Sequence, residues 1–283
     1  MKAPFRRLLL ALALLPLAAH GQTATPAPSH PGMMINLNDF GTTDVAYLTL
    51  PTREPRGGVI VVHDSWGLTD AVKTAVDRLA REGYVALAPD LMNGQVTGDP
   101  LRAQDFQRAL DHGSAVKTIQ AALRCLRESP RFRTPRVGLV GWGLGAQLAL
   151  EAATGPKGSP AVDGIVVIGL PLPANAQFAQ LDAPLLALFR SDDASSTPAA
   201  RADLAAAMNR EKKVGEIRVL NDDPNRTATR HSLLGFLEGT FGAPAPRPKA
   251  VLGHILQEIN PFHDEPNPPP APGAGAGSAS PAP

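Results

Sequence analysis

The sequence predicts an α/β fold, a mostly parallel sheet covered by helices on both faces, and three observations carry that expectation. Short β-branched runs alternate with longer stretches whose apolar residues recur at three- and four-residue spacing. The short runs are apolar throughout instead of alternating, as in strands buried on both faces. With the ends set aside, roughly 200 residues remain, a length that suits one large core better than two small ones.

The strands expected in order are Val59 to His63, Tyr84 to Ala88, Val137 to Val140, Gly164 to Ile168, Pro184 to Phe189 and Glu216 to Leu220. Between them fall helix stripes. Val72, Ala75, Val76 and Leu79 form one, and Val116, Ile119, Leu123 and Leu126 form another. Arg201 to Arg210 and Thr227 to Phe241 supply two more, the last opened by Asp223 as cap with Pro224 in first position.

The ends differ in kind from this middle. Residues 1–21 read as a cleaved signal peptide: Lys2, Arg6 and Arg7 precede an apolar stretch from Leu8 to Ala19, and Ala19-His20-Gly21 places small residues where a signal peptidase reads. The stretch is broken by Pro16 and is shorter than the roughly 20 residues of a membrane-spanning helix, so no membrane span is expected. Residues 22–43 read as a flexible N-terminal segment, 44–242 as the domain, 243–264 as a helical extension and 265–283 as a disordered tail rich in Pro, Ala and Gly. Val251, Leu252, Ile255 and Ile259 lie on one face of the extension, which packs on the domain or docks a protein partner. A periplasmic or secreted location follows from the leader.

Composition narrows the function. The chain holds 27 basic and 26 acidic side chains, and loss of the leader turns the net charge of +1 slightly negative, which gives nucleic acid or anionic membrane nothing to bind. Cys125 is the only cysteine, so no disulfide forms within the chain. It lies in a helix pattern and reads as a small buried hydrophobe. The histidines are scattered without paired spacing on one helix, so no metal site is expected. Gly141, Gly143 and Gly145 superficially suggest a dinucleotide loop, but the third glycine comes one position too early and in the third core unit, so no cofactor is expected.

In open parallel sheets the reacting groups gather at the carboxyl ends of the strands. Those positions here read His63-Asp64-Ser65-Trp66-Gly67-Leu68-Thr69-Asp70, then Ala88-Pro89-Asp90-Leu91, then Gly141-Trp142-Gly143-Leu144-Gly145, then Arg190-Ser191-Asp192-Asp193. This set resembles the dienelactone hydrolase family of α/β hydrolases over about Gly57 to Phe241. The run Arg81 to Leu91 is very close to the family pattern. Asp64 to Asp70 is similar to its acidic-aromatic-Trp-Gly-Leu-Asn-Asp signature, with Asp for the usual Glu and Ser for the aromatic residue.

The resemblance implies an α/β-hydrolase fold and hydrolysis of esters or lactones of small carboxylic acids, and it shows what is missing. The family holds a cysteine nucleophile in a Gly-Phe/Trp-Cys-x-Gly elbow, where this sequence has Gly143. The elbow is a strained strand-to-helix turn that lifts one side chain to the substrate beside backbone N–H donors for the oxyanion. The family's histidine belongs in the loop after the last strand, but Asn221 to Arg226 contains none. His231, about 10 Å into the last helix at 1.5 Å per residue, reads as a surface residue. His63 is either a structural histidine at a strand end or a neighbour of the site. The family's aspartate matches Asp193, with Asp192 beside it, as a relic acid or a solvated turn. Ser65, where the family donates an oxyanion-hole N–H, is the candidate substitute nucleophile, but it needs a base. His63 and Asp64 are successive on a strand, so their side chains should diverge.

Two expectations therefore stand side by side. One is a weakly active hydrolase with relocated chemistry. The other is a non-catalytic relative that binds a small carboxylate or other anion at Asp64, Ser65, Gly143 and Leu144, where a helix N-terminus and free donors favour negative charge.

Overall fold

The computed structural model describes residues 30–132, 134–155, 159–169, 178–191, 197–221 and 227–242. The leader, the C-terminal extension and tail, Asp192, Asp193, and the Asp223 cap lie outside the described residues.

Among the described residues the chain forms strands β1 (Met33–Asn36), β2 (Val45–Thr49), β3 (Gly58–Val62), β4 (Val85–Pro89), β5 (Val137–Trp142), β6 (Gly164–Ile168), β7 (Leu185–Arg190) and β8 (Gly215–Leu220). Helices α1 (Asp70–Arg81), α2 (Pro100–Ala109), α3 (His112–Glu128), α4 (Leu144–Ala153), α5 (Pro198–Arg210) and α6 (Thr227–Phe241) connect and cover them. The sheet order is β1-β2-β4-β3-β5-β6-β7-β8. β1 pairs with β2, and β2 with β4, antiparallel; the remaining pairs are parallel.

Each central strand divides its side chains by parity between two apolar layers. Ile60, Val62, Leu87, Leu139 and Ile165 pack toward α3, α4 and α5. Val59, Val61, Ala86, Val140 and Val166 pack toward α1 and α6. Burial on both faces is what the unbroken apolar runs called for, and it leaves the carboxyl ends of β3, β4 and β5 side by side.

Two expectations change. Part of the segment read as flexible, from Met33 to Asn36, is strand β1, and the following Leu37 is wholly buried, its N–H donating to the Asp44 carbonyl. The segment from His30 onward is also held at α1: the ring of His30 donates to Asp77 at 3.0 Å, and Asp77 accepts from Tyr47 and Thr49 at 2.8 and 2.6 Å. A four-residue strand is too short to show a periodicity, so only its partners reveal it. β8 was expected to be buried on both faces. Instead it is an edge strand, with Glu216 and Arg218 paired on its surface and Val219 44% exposed.

Candidate functional site

The turn after β5 is tight and leads directly into α4. Gly143 adopts φ 49° and ψ −117° between the last residue of β5 and the first of α4. Its N–H donates to the Ile168 carbonyl at 3.1 Å, holding the turn against β6, and its carbonyl accepts from Ala146 at 3.1 Å to start the helix. The third glycine makes the turn sterically feasible: a Cβ on Gly145 would lie 2.2 Å from the Val62 carbonyl oxygen, so only glycine lets α4 press this closely on β3.

The space where a nucleophile would project is occupied. A Cβ on Gly143 would lie 2.5 Å from Oδ2 of Asp64. Oδ1 of the same carboxylate accepts from the Ser65 N–H at 2.7 Å and the Leu144 N–H at 3.0 Å. These two donors, one from the loop after β3 and one from the first residue of α4, are those expected to form the oxyanion hole. Burial pushes the Asp64 carboxyl above its ordinary range, while hydrogen bonds from the two backbone N–H groups and from the Ser65 hydroxyl pull the other way. The chain thus supplies both the donors and the carboxyl oxygen that accepts from them.

His63 is committed elsewhere. It is 1% exposed, its Nδ1–H donates to the Asp64 carbonyl at 2.8 Å, and its Nε2 accepts from the Leu91 N–H at 3.1 Å. A backbone N–H can only donate, so Nε2 is unprotonated and the ring neutral. Burial, the largest cause, pulls its pKa below the usual imidazole range. His63 ties the end of β3 to the end of β4. Asp90 shapes the neighbouring loop by accepting from the N–H groups of Met92 and Gly94 at 3.0 and 2.6 Å. The family-like run through Asp90 and Leu91 is therefore scaffolding here.

With both imidazole nitrogens used, His63 cannot serve as a base for Ser65, whose side chain is buried beside Asp64. Cys125 lies buried in α3, where its thiol is pushed up to about 11, and His231 is exposed on α6. The structure brings together Asp64, Ser65, Gly143 and Leu144 from the sequence-derived set. The expectation of free donors at this point is corrected, because Asp64 reaches them through a short side chain on the adjoining loop. Sequence reasoning grouped Asp64 with Ser65, Gly143 and Leu144 but missed its bond from the Leu144 N–H, and it missed the bond from Leu91 to His63. Neither leaves a periodic or motif signal.

An open cleft lies at the same end of the sheet, lined by Leu68, Thr69, Asp70, Lys73, Asp90 and Thr97. It borders the loops that follow β3 and β4. Among the described residues, no group of three or more His, Cys, Asp and Glu side chains is arranged to hold a metal ion. No helix there is long and apolar enough to cross a membrane.

Comparison with known proteins decides the lineage. A model of the family described as "Dienelactone hydrolase family" matches residues 45–222, more than half of the chain. The chain belongs to the dienelactone hydrolase family. It is 32% identical to the carboxymethylenebutenolidase of Pseudomonas putida over 125 residues, 41% of this chain and 52% of that one. It is 31% identical to Protein usf of Aquifex pyrophilus over 131 residues, 43% of this chain and 55% of the relative. The match thus spans about half the length of these curated relatives. Among solved structures, a dienelactone hydrolase-like promiscuous phosphotriesterase from metagenomic libraries superimposes with a TM-score of 0.62 at 21% identity, covering 75% of this chain and 98% of that one. The dienelactone hydrolase of Anabaena variabilis gives a TM-score of 0.56 at 18% identity, over 72% and 94%. At such identities the structures show a shared fold. Within that fold, the turn between β5 and α4 carries Gly143.

Proposed function

We infer that the chain is an exported member of the dienelactone hydrolase family whose elbow binds a small-molecule ester, lactone or carboxylate without covalent turnover. One observation carries this reading: Gly143 holds the elbow backbone while the place of its missing side chain is filled by Asp64. Covalent catalysis needs a nucleophile and a base that activates it. Gly143 supplies no nucleophile, and the buried histidine nearest the site spends both nitrogens on backbone groups. The leader pattern supports a periplasmic or secreted location.

The test is hydrolysis of p-nitrophenyl acetate and of a dienelactone by purified protein beside its Ser65→Ala variant. Both proteins are expected to match the buffer rate. Turnover by the wild type that Ser65→Ala abolishes would overturn the reading and make Ser65 the relocated nucleophile.

A further inference from the structure

The last strand of the sheet has one open side: among the described residues, no strand pairs with the outer edge of β8. The N–H groups of Leu185 and Ser191 donate to the carbonyls of Val214 and Leu220, so the even-numbered residues here turn their backbone groups toward β7. By alternation Gly215, Ile217 and Val219 turn theirs outward, as a row of donors and acceptors ready to pair with another strand. The ends of this row are apolar and open, with Val214 75% and Val219 44% exposed. Between them, on one face, Arg218 donates to both carboxylate oxygens of Glu216, at 2.5 and 2.7 Å. Opposite charges thus sit two residues apart, one on each side of Ile217.

We propose that β8 pairs antiparallel with β8 of a second copy of this chain, about a two-fold axis through Ile217, joining the two sheets into one. Such an interface is isologous, so the same strand faces itself in reverse. Ile217 meets the partner's Ile217 with the N–H and C=O of each turned toward the other, as a hydrogen-bonded antiparallel pair requires. Glu216 then lies opposite the partner's Arg218, and Arg218 opposite the partner's Glu216, at the closer, non-hydrogen-bonded positions. Exposed Val214 lies opposite the partner's Leu220, and Val219 opposite the partner's Gly215, which leaves room for it. Charge selects this register. An axis moved to position 216 sets Glu216 against the partner's Glu216, an axis moved to 218 sets Arg218 against the partner's Arg218, and like charges directly opposite are destabilising. The pairing is independent of what the elbow does.

Sedimentation velocity over a dilution series from about 0.1 mM, well above a micromolar Kd, is expected to show a reversible dimer of the wild type and nothing larger. Arg218→Glu and Glu216→Arg each set like charges opposite one another and should weaken the dimer about tenfold or more. Both side chains are largely exposed, 40% and 50%, so far-UV circular dichroism should stay as in the wild type. Mixing the two variants should restore association, because each chain then meets the opposite charge. Both exchanges made together in one chain should restore it as well. A second measurement does not depend on charge. Ile217→Cys places two thiols beside the axis with Cα atoms about 5.5 Å apart, within disulfide reach, and mild oxidation should yield a covalent dimer. Val219→Cys should not, since the partner's matching position lies about four residues farther along the strand. Cys125 is buried and does not compete. A wild type that stays monomeric, a dimer indifferent to the charge exchanges, or mixed variants that remain apart would overturn the proposal. Cross-linking at Val219→Cys in preference to Ile217→Cys would refute the register.

Discussion

Gly143 shows how one position can be decided by two neighbours. Its φ of 49° lies where side chains are strained, and a Cβ there would press on Asp64 at 2.5 Å. A side chain placed at this position therefore collides with the Asp64 carboxyl group. Gly143→Cys is expected to lower stability by about 1–3 kcal/mol, the usual range for a strained backbone or an overpacked site, and to give no measurable esterase activity. In the double variant with Asp64→Ala the collision disappears. The two costs should fall short of additivity by about 0.5–3 kcal/mol, the range of coupling between residues in contact, as read by urea denaturation of the four proteins. Strict additivity would mean that the two side chains do not compete for one space. In the double variant His63 is still bonded at both nitrogens and does not act as base.

At the scale of elements, the antiparallel edge is held by a polar network under α1. Tyr47 on β2 donates to Asp77, which also accepts from Thr49 and His30, and the Tyr47 oxygen accepts from the Gly32 N–H at 2.8 Å. Burial, the largest cause, pushes the Tyr47 hydroxyl from 10.0 to about 12. The sign follows from linkage. Between those two values the folded chain keeps a proton that the unfolded chain has released, so this contribution is complete below pH 10 and is lost as the pH rises toward about 12. Wild type is expected to lose stability over that window relative to Tyr47→Phe, measured by denaturant midpoints at successive pH values. Parallel pH curves for the two proteins would contradict it. The same network is why the chain from His30 to Asn36 is ordered where composition alone suggested a loose segment.

For the whole molecule, the decisive feature is that one sheet serves two apolar layers. β3, β4 and β5 each send alternate side chains to the α3–α4 side and to the α1–α6 side, so neither layer can lose its helices without exposing strands that the other needs. Calorimetry is expected to show one unfolding transition, with calorimetric and van't Hoff enthalpies in agreement. A calorimetric enthalpy well above the van't Hoff value would show that the two sides melt separately.

The sequence by itself determined the parallel strands from β3 to β7 and most of the helices that cover them, because burial on both faces demands unbroken apolar runs and burial on one face demands a helical stripe. It also marked Gly141 and Gly145, where backbone packing admits no side chain. What only the tertiary structure decided is what meets the turn at Gly143. Asp64 and Leu144 are 80 residues apart, and the bond between them depends on how β3 and β5 lie in register, a relation no local pattern encodes. The exposure of β8 and the order of β1 were settled in the same way, by which strand has a neighbour and which stands at an edge. Local sequence carries periodicity and sterics. Occupancy of a site depends on meetings between distant residues, and those exist only once the chain has folded.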